Sequence, residues 1–311
     1  MLDLLSDVLA RLKIQGTLYF RTSFSPPWGL EVPPYENVAR FHFAHRGNCR
    51  VRISGTQESV ALEQGDLIII PHGAGHKLLS ETTPETDALP LDQVLQETGY
   101  PGTGFLVHGG PSDGRTTELI CGHISFGSAV RHPIFERLPE WIHIRNYGAT
   151  AGAWMEATLR VISEETSAPR PGGDLIALKM AEALFAQSIR AFLEEQAGGA
   201  DELSGFADPQ LSRALNAVHL NPADNWTVAS LAKAAGMSRT VFAQQFAQKI
   251  RLKPMQYVAF WRMQIAQQLL TDTQLSVGDI AAQVGYASES AFARAFKAEI
   301  GLTPANFRKP R

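Results

Sequence analysis

Two cysteines, Cys49 and Cys121, are the whole thiol content of a 311-residue chain. So little cysteine excludes a disulfide-stapled scaffold and points to a reducing compartment, the cytoplasm. Long apolar runs are also missing. None approaches the ~20 residues that a membrane-spanning helix needs, so no membrane partner is expected. Charge is sparse as well, at 19% Asp, Glu, Lys and Arg, which excludes a disordered chain kept open by its own repulsion. Met1 to Lys13 lacks a basic start followed by an apolar stretch and carries Asp3 and Asp7. It reads as an amphipathic helix rather than a secretory leader. What remains is 44% hydrophobic residues, enough for ordinary cores, in a length that suits two domains.

The net charge of −3 hides an asymmetry. From Trp226 to Arg311 there are 11 basic residues against 4 acidic ones, while the rest of the chain holds 17 basic and 27 acidic. A basic carboxy-terminal module on an acidic body is the distribution expected when one part meets phosphate.

Four sections follow from composition and periodicity. Residues 1–150 form the first section, rich in Gly, Pro and β-branched residues from about Gly16 to Arg145. Strand-like runs cover Leu18 to Thr22, Arg40 to Ala44, Cys49 to Ser54, Leu67 to Ile70, Gly104 to His108 and Thr117 to Phe126. Turn residues separate them, which predicts an antiparallel sandwich or barrel. Residues 80–102, with Pro and Thr, read as a long loop. Residues 151–196 are helical, with one helix over Ala153 to Glu165 and another over Asp174 to Gln196. In the second, Leu175, Leu178, Ala181, Leu184, Phe185, Ile189 and Phe192 recur near the helical period. That stripe suits either the β domain or a second copy of the chain, making a homodimer through residues 174–196. Residues 197–207 are small and polar and read as a linker. Residues 208–311 read as helix throughout. The fold expected is α+β and multidomain.

The carboxy-terminal section repeats itself. Leu231-Ala232 matches Ile280-Ala281 and Gly236 matches Gly285 at a spacing of 49; Phe242, Phe246, Ile250 and Pro254 match Phe292, Phe296, Ile300 and Pro304 at 50. Each copy reads as helix, turn, helix. A short helix ends at a glycine, an apolar residue follows (Met237 or Tyr286), and a serine is available to cap the second helix: Ser238 in one copy, Ser288 or Ser290 in the other. A helix over Pro254 to Leu270 connects the copies and would hold their spacing. One helical turn of duplex separates equivalent major-groove faces by ~34 Å, which demands a stiff spacer.

The run Ile280-Ala281-x-x-Val284-Gly285-Tyr286-x-x-x-Ser290-x-Phe292-x-Arg294-x-Phe296-Lys297, followed by Gly301-x-Thr303-Pro304-x-x-Phe307-Arg308, resembles the signature of the AraC/XylS family of transcription regulators. The resemblance implies a tandem helix-turn-helix domain that binds an operator in double-stranded DNA. It implies contacts from Ser238, Arg239, Thr240 and Gln244 in the first copy and from Glu289, Ser290 and Arg294 in the second. Arg294 is suited to guanine, Gln244 to adenine and Glu289 to cytosine. Lys297 and Arg239 read as phosphate contacts that set register. RNA polymerase is an expected partner, and the family resemblance leans toward activation.

Gly65-Asp66-Leu67-Ile68-Ile69-Ile70-Pro71-His72-Gly73-Ala74-Gly75-His76 resembles the second half of a cupin barrel, a domain that serves such regulators as a sensor for a small-molecule or metal effector. The first cupin motif departs from the enzyme pattern: Arg40 stands where the metal-binding Glu belongs, and no His-x-His precedes it. That argues for a regulator and not an enzyme; a cupin metalloenzyme tethered to a DNA-binding module is the alternative. His42, His76, Cys121 and His123 remain as a candidate His/Cys zinc site, since a thiolate and imidazoles suit Zn²⁺ better than Mg²⁺ or Ca²⁺. His45 and His72 fall nearer to turns and are expected to be exposed.

Overall fold

A computed structural model describes residues 4–102, 104–110, 115–127, 132–145, 157–158, 161–162, 164–165, 170–196 and 203–308. The chain divides into two compact units. One comprises Ile14–Phe126 and Leu138–Phe192; the other comprises Met1–Lys13, Gly127–Arg137 and Leu193–Arg311.

The first unit is built on strands β1 (Ile14–Ser25), β2 (Gly29–Val32), β3 (Val38–Arg46), β4 (Cys49–Ile53), β5 (Ser59–Leu62), β6 (Leu67–Ile70), β7 (His76–Leu79), β8 (Leu89–Pro90), β9 (Phe105–Gly109), β10 (Glu118–Phe126) and β11 (Ile142–Ile144). They form a six-stranded sheet in the order β11-β6-β3-β10-β1-β9 and a five-stranded sheet in the order β5-β4-β7-β2-β8. Among the described residues the strands thus take the sandwich form of the sandwich or barrel expected, two sheets with no closure between their edges. Both sheets still serve one core. Phe24, Leu106 and Leu119 from the larger sheet meet Leu30, Val51, Leu62 and Leu78 from the smaller one. In β4 the pattern is the half-buried alternation, with Cys49, Val51 and Ile53 inside and Arg50 and Arg52 partly out. All four residues of β6 are buried, so its unbroken Leu-Ile-Ile-Ile run needs no alternation.

The Pro71-His72-Gly73 turn after β6 is closed by backbone. At Gly73, with φ +65°, a Cβ would stand 2.0 Å from the Tyr35 carbonyl oxygen. Only glycine fits there. The loop expected over residues 80–102 contains a helix, Leu91–Thr98, that ends at Gly99 in the left-handed conformation. Its single buried side chain, Val94, leaves too weak a stripe to read against flanking prolines. Helix Gly173–Gln196 turns Ala177, Ala181, Leu184, Phe185 and Ile189 inward. The partner of that stripe is the chain's own sheet: a Cβ on Gly16 of β1 would lie 3.0 Å from the Leu178 carbonyl oxygen and 3.4 Å from Ala181 Cβ. Most of the helix expected over Ala153 to Glu165 falls outside the described residues, as do 197–202 of the linker. Ser204–Ala207 is a helical turn with Phe206 buried.

The second unit is helical: Pro209–Leu220, Val228–Ala235, Arg239–Ile250, Pro254–Asp272, Val277–Gln283, Glu289–Ile300 and Pro304–Arg308. Helices Leu4–Leu12 and Pro133–Glu136 belong to it too. Their place differs from the sequence expectation, which puts both in the section 1–150. The physical reason for the difference is, for the first, the stripe Leu4, Val8, Leu9 and Leu12, all buried, with hydrogen bonds from Arg11 to Gln268 and from Lys13 to Asp272, and for the second, buried Pro133 and Ile134 with the hydrogen bond between His132 and Tyr257. Trp261, Tyr257, Phe242, Phe246, Phe292 and Phe296 fill the center of the unit.

Candidate functional site

The two sequence copies fold alike down to single hydrogen bonds. In the first, helix Val228–Ala235 is capped by Thr227, whose hydroxyl accepts from Ser230 N–H, and it exits through Gly236 at φ 70°. Met237 N–H then donates to the Ala232 carbonyl at 2.9 Å. In the second, Ser276 caps helix Val277–Gln283, Gly285 has φ +82°, and Tyr286 N–H donates to the Ala281 carbonyl at 2.8 Å. These bonds satisfy carbonyls that a helix end would leave bare. Ala232 and Ala281 are buried where the paired helices approach. The following helices turn Phe242 and Phe246, or Phe292 and Phe296, into the core with ring centroids 5.3 and 5.6 Å apart.

The opposite faces are open. Ser238, Arg239, Thr240, Gln244, Glu289, Ser290, Arg294 and Lys297 are all exposed. Ser238 has a second duty: its hydroxyl accepts from Val241 N–H and caps helix Arg239–Ile250. In the other copy Ser288, not Ser290, is the cap, and Ser290 hydrogen-bonds to it at 3.2 Å. Ser290 thus stands beside the cap with its hydroxyl on the surface. Val241 is 44% exposed on the first of these helices, an apolar contact that the sequence reading did not single out.

In the sheet unit, three of the four residues considered for zinc come together. Cys121 on β10 sits opposite His42 on β3, with Sγ 3.1 Å from His42 Nδ1. His42 Nε2 lies 2.7 Å from His76 Nε2. His76 Nδ1 lies 3.0 Å from the Ala74 carbonyl oxygen, which can only accept, so Nδ1 carries the proton and Nε2 accepts. His42 Nε2–H therefore donates to His76, and His42 Nδ1 accepts from the Cys121 thiol. The result is a one-directional chain of neutral groups. Its burial accounts for that neutrality. Desolvation, then His76 and Arg40, hold His42 well below the ordinary histidine value. Burial, opposed by the Ala74 hydrogen bond and reinforced by Arg40, holds His76 down to about 4. The Cys121 thiol is pushed up by burial and by Cys49, and Cys49 rises to about 12 through burial and Glu63. His123 lies further along β10, half-buried, opposite Arg40. Because His42 offers its two nitrogens to opposite neighbors, the donors do not converge on one point. Among the described residues no three His, Cys, Asp or Glu side chains are arranged around a common metal position. His45 and His72 are exposed. Asp66 has a partner that sequence reasoning missed, His143 on β11, at 2.9 Å.

A second buried relay, also unforeseen, lies in the helical unit. Ile134 N–H donates to His132 Nδ1 at 3.2 Å, so His132 donates through Nε2 to the Tyr257 hydroxyl at 2.9 Å. Tyr257 in turn donates to His219 Nε2 at 2.7 Å. His219 Nδ1–H completes the chain on Asp7 at 2.8 Å, and Trp261 stacks on the His219 ring at 3.9 Å. No sequence motif links residues 7, 132, 219 and 257; only the fold brings them together.

Paired, capped helix-turn-helix copies with open polar faces define a DNA-binding protein, and comparison with known proteins agrees. Residues 231–310 match a Helix-turn-helix domain model and residues 3–194 match a Cupin model. An AraC-like transcription regulator of Streptomyces lividans is 30% identical over 311 residues, 99% of this chain and 98% of the relative. The transcriptional regulator AlkR of Acinetobacter baylyi is 26% identical over 310 residues, 99% of each chain. RclR of Escherichia coli, named an RCS-specific transcriptional activator, is 26% identical over 311 residues, 99% of this chain and 98% of its own. Among solved structures, the DNA-binding domain of AdpA in complex with a target DNA is 30% identical, covering 32% of this chain and 90% of that one with a TM-score of 0.31. The chain belongs to the AraC family of transcription regulators with a cupin amino-terminal domain. It is a DNA-binding regulator and not an enzyme. Among the described residues, no helix is long and apolar enough to cross a membrane.

Proposed function

We propose that this regulator reads an asymmetric operator through two adjacent major grooves and, in response to an effector held by the sheet unit, recruits RNA polymerase in the cytoplasm. The observation that carries the reading is the pair of open polar faces, Arg239, Thr240 and Gln244 on one helix and Glu289, Ser290 and Arg294 on the other. The two faces differ in chemistry, so one subunit favors a site without internal symmetry. Arg294 reads guanine, Gln244 adenine and Glu289 cytosine, while Lys297 holds phosphate. An activating role is favored by the name of one relative, RclR.

The test is a binding selection on random duplexes followed by titration of the enriched site. Arg294→Ala should cost about 1–3 kcal/mol and relax preference at one base pair. An unchanged preference at every position would overturn the base contact.

For the effector, the Cys121–His42–His76 chain supports a site because it places polar groups inside an apolar core. A small neutral molecule with a donor and an acceptor matches its present state. Zinc is the other ligand class that these residues suit, and it would require His42 to surrender one of its two partners. Elemental analysis of purified protein, with His76→Ala and Cys121→Ala beside it, decides between them. Stoichiometric zinc lost in both variants supports the metal; none in the unaltered protein refutes it. A homodimer through helix Gly173–Gln196 is supported by Leu175 and Ile176, exposed at its start; sedimentation with Leu175→Glu tests it.

A further inference from the structure

Arg262 lies in the middle of the connecting helix Pro254–Asp272, yet its hydrogen bonds go neither to that helix nor to a carboxylate, but to backbone carbonyls. Its Nε donates to the Pro222 carbonyl at 2.7 Å and its Nη2 to the Asp224 carbonyl at 2.8 Å. Its Nη1 donates to the Gly285 carbonyl at 3.2 Å. The first two carbonyls belong to the loop that enters the first helix-turn-helix copy. The third is in the turn of the second copy. The guanidinium carbon also stands 5.7 Å from the center of the Tyr286 ring, the apolar residue of that same turn.

The joint is tight from both sides. A Cβ on Gly285 would fall 2.6 Å from the Ala223 carbonyl oxygen and 2.7 Å from Arg262 Nη2. The entry loop is itself closed, with Trp226 Nε1–H donating to the Asn221 carbonyl at 2.8 Å and Asp224 N–H to the same oxygen at 3.2 Å. One planar side chain therefore ties two braced turns together.

The connecting helix alone would leave a degree of freedom. It holds each copy through its own packing face but does not forbid the second copy from pivoting about the helix axis. The DNA makes such a pivot consequential, because each base pair rotates the groove by about 34°. A protein free to turn through an angle of that order would accept neighboring spacings between its two contacted elements.

We infer that Arg262 is a positioning residue that clamps the turn of the second helix-turn-helix copy to the entry loop of the first and so sets the base-pair spacing the protein accepts. This rests on the two-groove reading above. Lysine keeps the charge, but its compact ammonium cannot span three carbonyls in the fork that guanidinium offers.

The experiment uses the full chain, a random-duplex selection and the variants R262K and G285A. Wild type should enrich two sequence elements at one spacing, and inserting one base pair between them should weaken binding by roughly tenfold, the cost of a mismatched position. R262K should enrich the same two elements at a widened range of spacings, with the insertion penalty reduced to about threefold or less. G285A attacks the joint from the other turn and should widen the range in the same way, which keeps the test open if R262K folds poorly by circular dichroism and thermal melting. Folded variants that keep the single wild-type spacing overturn the clamp. A uniform affinity loss with the spacing penalty intact also overturns it, because that is the signature of general destabilization. Failure of the two-groove reading looks different: wild type itself would enrich only one element or none.

Discussion

The Tyr257 hydroxyl stands 2.7 Å from His219 Nε2 and 2.9 Å from His132 Nε2. It accepts a hydrogen bond from His132 and donates one to His219, so a single oxygen connects helix Pro209–Leu220 to the segment before Pro133–Glu136. Through His219 and Asp7 the same chain reaches helix Leu4–Leu12. Each donor and acceptor in it is spoken for, which is the condition for keeping polar groups inside a core.

Removing that oxygen should be costly. Tyr257→Phe leaves a buried His132 N–H and a buried His219 nitrogen without partners, a loss of about 2–4 kcal/mol. Urea denaturation measures it. A change within about 0.5 kcal/mol, the range of an ordinary surface substitution, would mean that the relay contributes nothing to folding.

Acid should destabilize the protein through its buried histidines. The folded value of His76 is about 4 against an ordinary 6.5, and those of His42, His132 and His219 are also lowered, in each case chiefly by burial. Lowered values mean that the unfolded chain takes up protons first. Stability is then retained above pH 6.5 and lost as pH falls toward 4, by on the order of 3 kcal/mol for His76 alone. His76→Leu should flatten the denaturation midpoint against pH over that interval. An equally steep slope in the variant would assign the effect elsewhere.

At the DNA surface, Lys297→Ala should weaken binding to every duplex by a similar factor and reduce the slope of log affinity against log salt by about 1, the signature of one lost phosphate contact. Titrations at several salt concentrations on the selected site and on an unrelated duplex check this. Weakening on the selected site alone would make Lys297 a base-reading residue instead.

In the sheet unit, Gly73→Ala places a methyl group 2.0 Å from the Tyr35 carbonyl oxygen at a φ of +65°. Backbone must move to admit it, beyond the ~1–3 kcal/mol that a strained conformation costs by itself. The thermal midpoint should fall measurably, and Gly99→Ala serves as a control because Gly99 has the same positive φ with open space around its Cβ position. Equal effects of the two substitutions would show that crowding at the turn adds nothing.

The exposed faces of the two helix-turn-helix copies were legible because their signal is local. The Gly236 and Gly285 exits, the capping serines and the Phe pairs recur at fixed spacings within one stretch, and each spacing is a helical one. Strands β2, β5, β7, β8 and β11 were not legible, since runs of two to four residues carry too little alternation to declare a partner. Helix Leu91–Thr98 was not legible because Val94 is its one buried side chain, too little for a helical stripe. His42, His76 and Cys121 could be singled out by residue type and by the cupin-like motif, but not the direction of their hydrogen bonds.

Local pattern alone placed two copies of one helix-turn-helix unit in the last third of the chain, told which residues each turns outward, and marked the amino-terminal domain as sheet. These follow from periodicity and steric rules that act within a few residues. Tertiary structure alone decided that the strands form two open sheets, that helix Gly173–Gln196 covers its own sheet, and that residues 4–12 and 133–136 belong to the helical unit. It alone paired Asp7 with His219 and gave Arg262 its three carbonyls. Those contacts span from 23 to more than 200 residues of chain, and a hydrogen bond records only where two groups meet, not the sequence that brings them there.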